Sequence, residues 1–307
     1  MKILFRTLTT LIAFLVLNCA FAVSINAQTD WSKIEIKTTK VAGNIYMLEG
    51  AGGNIGVSVG PDGILIVDDQ YAPLADKIKA ALKTLGDGKL KFILNTHYHG
   101  DHTDGNKVFG PEAPIIAHAN VRKRLSTEQV SKFFNRTTPP APKEALPVIT
   151  FEQAVSVFFN GEEIKVVHFP RGHTDGDSVI FFTGALVVHM GDDFFAGRFP
   201  VVDLEAGGDV EGLTKNVGDL IERLSKVPGL KIIPGHGPLS TIDDLRAYHR
   251  MLLQTTDIVR KRMAAGKTLD QVKAEGLPEE WKSWGTGFIK TDRWLQLIYT
   301  SLSAKRP

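Results

Sequence analysis

The sequence predicts an α/β protein in which two β-sheets pack face to face with helices on their outer surfaces. Short β-rich segments are followed by helical segments twice along the chain, and a proline-rich stretch at residues 136–147 separates the two halves. The length of 307 residues suits one large domain or two small ones. Hydrophobic residues at 43% and charged residues at 23% are typical of a globular protein.

The individual elements follow from hydrophobic periodicity and turn residues. β-Rich runs between Gly-rich or Pro-Asp-Gly turns predict strands in the first half at residues 33–41, 45–49, 54–59, 64–68, 90–95 and 114–117. The same signals predict strands in the second half at 153–158, 163–168, 178–183, 185–189 and 231–233. Apolar residues at helical spacing predict helices over residues 73–85, 119–126, 209–226, 241–264 and 288–303. The stretch 136–147 holds four prolines, so we expect a loop there.

The N-terminus predicts a secretory signal peptide over residues 1–22. A basic start precedes an apolar run at residues 8–17, which is shorter than a comfortable membrane span. A small-x-small cleavage site ends at Ala22, and a second candidate cut follows Ala27; an uncleaved anchor is the alternative. We therefore expect a periplasmic or secreted protein with no membrane attachment in its mature form.

Cysteine content and charge exclude several classes of function. The single cysteine, Cys19, lies in the predicted signal peptide, where a lipoprotein anchor is the alternative to simple cleavage. A mature chain without cysteine has no disulfide, no thiolate nucleophile and no cysteine zinc ligand. The formal net charge of +2 falls to zero when Lys2 and Arg6 are removed, which argues against nucleic acid as a partner.

Candidate metal ligands are concentrated in a histidine-rich segment directly after a predicted strand. Within six residues the chain places His97, His99, Asp101 and His102, and loops at strand ends commonly carry reactive groups. Neutral imidazole and carboxylate are suitable ligands for Zn²⁺. In an extended segment His97 and His99 point the same way, and the other two can turn toward a neighbouring point. One segment can thus supply ligands to two metal ions. The alternative is a solvated polar loop.

Three further segments place a histidine or an aspartate beside glycine at the end of a strand. They contain His173, the pair Asp192 and Asp193, and His236. Glycine at such positions permits unusual backbone angles and close approach to a site. Each segment alone is typical of a structural role, but together with the dense cluster they indicate one shared metal centre.

These motifs resemble those of the metallo-β-lactamase-fold metallohydrolase superfamily, over roughly residues 33–240. The resemblance implies an αββα four-layer sandwich with the metal site along one edge of the two sheets. It implies a single domain over residues 28–307 that ends in a helical C-terminal tail. The implied ligands are His97, His99 and His173 for a first zinc and Asp101, His102 and His236 for a second. Asp192 resembles the carboxylate that bridges both metals, with Asp193 as the alternative in register.

The resemblance also sets expectations for the chemistry. The best-known β-lactamases of this fold have a cysteine where Asp192 stands, so this chain resembles the all-His/Asp branch of thioesterases, lactonases and phosphodiesterases. It implies two zinc ions, with iron or manganese as alternatives. We expect a bridging hydroxide, oriented by Asp101, to attack the carbonyl of a cyclic amide in a small anionic substrate. Hydrolysis of a lactone, ester or thioester is the alternative, and a non-catalytic metal-binding protein is least favoured.

Three residues are candidates for substrate contacts. Phe194 is expected at the pocket mouth, with core packing as the alternative, and Arg171 and Arg198 are candidates for holding an anionic group. Loops 50–54, 132–147 and 193–207 are expected to surround the pocket. The remaining histidines, residues 118, 168, 189 and 249, are expected to be structural or exposed.

Overall fold

The computed structural model describes residues 29–304. The predicted signal peptide at residues 1–22, the later cut after Ala27 and Cys19 lie outside the described residues. Residues 31–304 form one compact unit. No helix in the described range has the length and apolar character needed to cross a bilayer.

Two β-sheets form the centre of the described chain. The first has the strand order β1-β2-β3-β4-β5-β6-β9. Its strands are β1 (Lys37–Ala42), β2 (Ile45–Glu49), β3 (Ile55–Gly60), β4 (Gly63–Val67), β5 (Leu90–Leu94), β6 (Ile115–His118) and β9 (Ile149–Phe151). The second has the order β10-β11-β12-β13-β14. Its strands are β10 (Ala154–Phe159), β11 (Glu162–His168), β12 (Ser178–Phe182), β13 (Val187–His189) and β14 (Lys231–Ile233).

Helices and a small hairpin complete the fold. The helices are α1 (Ala75–Leu85), α2 (Gly100–Thr103), α3 (Asn106–Phe109), α4 (Ala119–Leu125), α5 (Val210–Leu224), α6 (Ile242–Ala264), α7 (Leu269–Glu275) and α8 (Thr291–Ser303). The hairpin pairs β7 (Gln129–Ser131) with β8 (Arg136–Thr138) in antiparallel register. It forms a separate two-stranded sheet.

The arrangement of the core confirms the predicted αββα sandwich. Between the sheets, Leu65 and Leu94 of the first sheet share one buried cluster with Val166 and Ile180 of the second. A further apolar cluster lies between the first sheet and α1, and another between the second sheet and helices α5, α6 and α8. Because both faces of each sheet are covered, central strands such as β4 are buried at every position.

The C-terminal helices are part of this core. The Trp294 ring on α8 is fully buried, stacks on Phe199 at a centroid distance of 5.7 Å, and donates its indole N–H to Thr255 Oγ1 at 3.0 Å. The predicted tail therefore completes one outer layer of the sandwich instead of extending from it.

The structure corrects several predicted boundaries. The strand expected at residues 33–41 begins only at Lys37. Residues Trp31–Lys33 instead form a 3₁₀ turn, and the Lys77 ammonium donates to two carbonyls of this turn and to Ile34 O just after it. The loop expected over 136–147 instead contains β8 and a 3₁₀ turn at Lys143–Ala145. The prolines limit these elements to three residues each without preventing them.

Candidate metal centre

The predicted ligands meet where several strands end. His97 and His99 follow β5, and His102 lies on α2, the short helix that begins at Gly100. His173 lies between β11 and β12, Asp192 follows β13 and His236 follows β14. Since β4 and β5 are parallel, as are β13 and β14, the carboxyl ends within each pair lie at the same edge of their sheet.

The first group of ligands comprises His97, His99, His173 and Asp192, with their donor atoms mutually close. His97 Nε2 lies 3.1 Å from His99 Nδ1, which in turn lies 2.8 Å from His173 Nε2. Asp192 Oδ2 closes the group at 3.4 Å from His173 Nε2 and 3.8 Å from His97 Nε2.

The second group comprises Asp101, His102 and His236. His236 Nε2 lies 3.3 Å from Asp101 Oδ2 and 3.4 Å from His102 Nε2. The other oxygen of Asp192, Oδ1, lies 3.1 Å from His102 Nε2 and 3.4 Å from His236 Nε2. Asp192 therefore presents one oxygen to each group.

Asp193 faces a different environment. Its Oδ1 accepts a hydrogen bond from the backbone N–H of His173 at 3.3 Å. Burial and the neighbouring carboxylate of Asp177 raise the pKa of Asp193 well above its ordinary value. Of the two register alternatives, the geometry therefore favours Asp192 as the residue between the groups.

The hydrogen bonds around the imidazoles test whether this site fits a metal. His102 Nδ1–H donates to Asp68 Oδ2 at 2.7 Å, His173 Nδ1–H to Val201 O at 2.8 Å, and His99 Nε2–H to Asp203 Oδ2 at 2.9 Å. Each of these rings therefore directs its unprotonated nitrogen, with its lone pair, into the centre. Oriented rings of this kind are characteristic of metal-ligating histidines.

Two further observations support the fit. Zn–N bonds of about 2.0–2.1 Å in a tetrahedron place ligand atoms roughly 3.3 Å apart, and most of the distances above are close to this value. Asp192 Oδ1 is buried and has no hydrogen-bond donor among the described residues. Nitrogen and oxygen ligands that converge on an unpaired carboxylate oxygen fit a divalent metal.

Electrostatics favour an ionised bridging residue. Burial opposes ionisation of Asp192, but the electrostatic interactions with the imidazoles of His102 and His236 outweigh it and hold the pKa of Asp192 well below its ordinary value. The same balance applies to Asp101: burial raises its pKa, and His102 and His236 lower it to well below the usual range. Both carboxylates therefore present negative charge to a cation.

The centre opens to solvent on one side. The side chains of His99, Asp101 and His236 are 20%, 27% and 21% exposed, whereas those of His97 and His173 are buried. A substrate can therefore approach between the exposed edges of the two ligand groups.

Close backbone approach explains one glycine beside the histidine cluster. A Cβ on Gly53 would lie 2.0 Å from His102 Cε1, so any side chain there displaces the imidazole. By contrast, a Cβ on Gly100 would meet no atom within 4 Å. The sequence expectation concerned the glycines beside His173, Asp192 and His236, and it is confirmed there. A Cβ on Gly172 would lie 2.4 Å from Asp193 Oδ1, and one on Gly235 would lie 2.1 Å from Asp192 Oδ1.

Two carboxylates that support the ligands were missed by the sequence analysis. Asp68, in a left-handed conformation with φ of 64°, accepts hydrogen bonds from the backbone N–H and hydroxyl of Thr96 as well as from His102. Asp203 binds both His99 and, at 2.6 Å, the hydroxyl of Tyr98. Asp68 carries the same signal as the ligands, an acidic residue directly after an apolar strand.

Of the candidate substrate contacts, Phe194 lies in the core. Phe194 is fully buried against Tyr248 at a centroid distance of 5.2 Å, so the structure does not place it at a pocket mouth. Its neighbour Phe195 instead stacks on the His236 ring at 5.0 Å. A 3₁₀ turn at Gly191–Asp193 directs Phe194 inward.

The two arginines occupy different places. Arg171 is exposed and pairs with Asp209 at 3.3 Å, beside α5, so the structure provides no contact between it and the metal ligands. Arg198 is half-buried, its side chain lies along Gly287, and no carboxylate of the described residues pairs with it. Arg198 remains a candidate.

The other histidines are mostly structural. His118 Nδ1 accepts the Asn120 N–H at the start of α4, and the ring stacks on His168 at 3.8 Å. His189 Nε2–H donates to Asn54 O at 2.9 Å. His249, expected on the surface, is half-buried because it packs against Gly218 of α5.

Comparison with known proteins identifies the class. The family model of the metallo-beta-lactamase superfamily matches residues 38–236, and the chain belongs to this superfamily. It is 27% identical over 181 residues to a probable metallo-hydrolase of Methanocaldococcus jannaschii, which covers 57% of this chain and 83% of that protein. It is also 28% identical over 225 residues to a hydroxyacylglutathione hydrolase of Brucella ovis, covering 63% of this chain and 77% of the relative.

Solved structures share the fold at low sequence identity. The DIM-1 metallo-beta-lactamase superposes with a TM-score of 0.58 at 18% identity, covering 72% of this chain and 98% of that one. A double mutant of the sec-alkyl sulfatase PisA1 gives a TM-score of 0.65 at 15% identity, covering 87% of this chain but 50% of that one. Together with the site, the superfamily and its hydrolase relatives define this protein as a metal-dependent hydrolase.

Proposed function

We propose that this protein is an exported dizinc hydrolase that opens cyclic amides. The observation that carries the proposal is the position of Asp192, whose Oδ1 and Oδ2 face separate groups of ligands. A carboxylate shared in this way supports two metal ions at one centre. The ligand set contains only nitrogen and oxygen, which suits zinc and also leaves iron or manganese as alternatives.

The catalytic role of the chain falls on Asp101. When bound, zinc ions supply an acidified water at neutral pH and polarise a carbonyl oxygen. Asp101 lies at the open side of the centre, and its ionised carboxylate is positioned to accept a hydrogen bond from that water and orient it. No serine or cysteine nucleophile is needed for this reaction.

The substrate is proposed to be a small anion. Two divalent ions facing Asp101 and Asp192 leave the centre with net positive charge, which favours a negatively charged substrate and a developing oxyanion. Arg198, which has no carboxylate partner among the described residues, is a candidate contact for its anionic group. Zero net charge of the mature chain supports a small molecule over nucleic acid.

Hydrolysis of a thioester, ester or lactone is the second candidate. Relatives named hydroxyacylglutathione hydrolases favour it. So does the presence of an aspartate, and not a cysteine, at position 192. Export, proposed from the signal-like N-terminus, favours cyclic amides instead, because β-lactams act outside the cytoplasm and glutathione thioesters are mainly inside it.

The test is hydrolysis of a chromogenic cephalosporin by purified mature protein, with and without a chelator. Turnover that the chelator abolishes and zinc restores would support cyclic amide hydrolysis. If the zinc-loaded protein is inactive on the cephalosporin but cleaves a lactone or thioester, the second candidate replaces the first. Inactivity on all three with two zinc ions bound would instead favour a metal-binding protein.

A further inference from the structure

Two exposed aromatic residues lie against each other on the surface of the described chain. Of the three exposed phenylalanines in residues 29–304, Phe134 on the β7–β8 hairpin and Phe288 before α8 have ring centroids 5.8 Å apart. Phe134 is 37% exposed and Phe288 is 76% exposed. We call the hairpin 129–138 and the segment 284–290 the two arms of an aromatic arch. Exposed phenylalanine rings held together in this way provide an apolar binding surface.

The hairpin arm is tied to the support of the first ligand group. The backbone N–H of Lys132 donates to Glu205 Oε2 at 2.7 Å. Glu205 belongs to the 3₁₀ turn that Asp203 caps, and Asp203 accepts the N–H of His99. The tip of the hairpin is therefore hydrogen-bonded to a residue that lies two positions along the chain from Asp203, the carboxylate that orients His99.

The other arm is tied to the second ligand group. Phe199 donates its backbone N–H to Trp284 O at 3.1 Å, and Ala196 donates its own to His236 O at 2.9 Å. Arg293 of α8, the helix that follows the 284–290 arm, contacts the hairpin arm, since its guanidinium lies 4.5 Å from the Phe133 ring centre and donates to Phe133 O at 3.0 Å. The arch thus runs from one ligand group to the other.

Several basic side chains lie on or beside the arch. No ion pair within the described residues involves Lys132, Arg136, Lys290, Arg293 or Arg198. Arg136 lies on the hairpin arm itself, opposite Ser131 in the β7–β8 pairing and two residues beyond Phe134, and its side chain is exposed.

We propose that the aromatic arch and Arg136 form a subsite for the non-reacting part of the substrate, which is an aromatic or other bulky apolar group beside a carboxylate or sulfonate. The inference rests on the proposed function for the identity of the reacting carbonyl. It narrows the proposed substrate class to amphipathic anions. The rings of Phe134 and Phe288 cover the apolar group, and Arg136 pairs with the anion. Each arm is hydrogen-bonded to a segment that supports a ligand group, which is why we assign the arch to the part of the substrate that extends away from the reacting carbonyl.

The subsite can be tested without hydrolysis by fluorescence titration with 8-anilinonaphthalene-1-sulfonate, an aromatic sulfonate. In the Phe134→Ser/Phe288→Ser double variant we expect the Kd to rise about tenfold, because two apolar contacts are lost. Phe158→Ser is the matched control, because Phe158 is 78% exposed on β10, a strand of the second sheet. Arg136→Gln should weaken binding of the sulfonate but not of uncharged N-phenyl-1-naphthylamine.

The outcomes separate this inference from the proposed function. Equal dye affinity in the double variant and the wild type would overturn the subsite, even if the protein hydrolyses a cephalosporin. Dye binding that depends on both phenylalanines would support it, even if every substrate in the panel is inert. With an active substrate that carries an aromatic group, the double variant should raise KM and leave kcat unchanged. If the double variant is unstable, the dye titration is repeated with each single variant.

Discussion

His99 donates its Nε2–H to Asp203 across 2.9 Å, and this bond turns Nδ1 of the same ring toward His173, 2.8 Å away. Asp203 also accepts the hydroxyl of Tyr98, whose ring lies 5.5 Å from the Arg124 guanidinium. One carboxylate therefore fixes both neighbours in the histidine-rich segment.

Asp203→Ala should lower the metal affinity of the first ligand group by about ten- to a hundredfold, because the His99 ring loses the acceptor that orients it. Metal titration against a competing chelator measures the change. Tyr98→Phe removes only the neighbouring hydroxyl and should have a much smaller effect. Equal losses in both variants would show that Asp203 acts by supporting the loop as a whole.

If the chain binds the proposed two metal ions, Asp192→Ala should reduce the metal content to one ion per chain or fewer, because each group loses one oxygen ligand. Asp193→Asn is the control, since Asp193 faces Asp177 and the His173 backbone. Elemental analysis of the purified variants gives the stoichiometry. Two ions retained in Asp192→Ala would mean that another group joins the two sites.

Asp101→Ala should reduce turnover by orders of magnitude while the protein stays folded. The side chain lies at the open side of the centre, where it can orient the attacking water. Steady-state kinetics in saturating zinc measure the loss, and circular dichroism checks the fold. Turnover equal to that of the wild type would remove Asp101 from the mechanism.

Gly53→Ala should weaken metal binding, because the new Cβ would lie 2.0 Å from the His102 ring and displace it. Gly100→Ala is the matched control, as a Cβ there meets nothing within 4 Å. Both variants are compared by chelator competition and by thermal unfolding. Similar affinities would show that the loop at residues 50–53 moves away at little cost.

His118 should contribute to acid sensitivity of the fold. Burial lowers its pKa below the ordinary 6.5, so the unfolded chain binds the proton more readily than the folded one. The associated stability is present above pH 6.5 and is lost as the pH falls below it. His118→Asn keeps a side chain that can cap α4 and removes this titration. The free energy of unfolding, measured with urea between pH 5 and 8, should therefore fall less steeply with decreasing pH in the variant than in the wild type.

The sequence was most informative where chemistry and periodicity coincide. All seven predicted ligands, from His97 to His236, come together because each follows a strand whose end the hydrophobic pattern already locates. Asp203 was missed because it reaches His99 from more than a hundred residues away, and nothing local marks that contact. For Phe194 the sequence left the pocket mouth and the core as alternatives, and the structure shows core packing after the 3₁₀ turn at Gly191–Asp193, which the hydrophobic pattern does not reveal. The β7–β8 hairpin was missed because its strands are only three residues long.

The ligand set of five imidazoles and two carboxylates has a consequence for oxidative damage. Thiolate ligands are converted by peroxide to sulfenic and sulfinic acids, and a zinc site that depends on them loses its metal. Imidazole and carboxylate do not follow that sequence of oxidations. Peroxide at concentrations that inactivate a cysteine-ligated zinc enzyme should therefore leave metal retention in this protein unchanged.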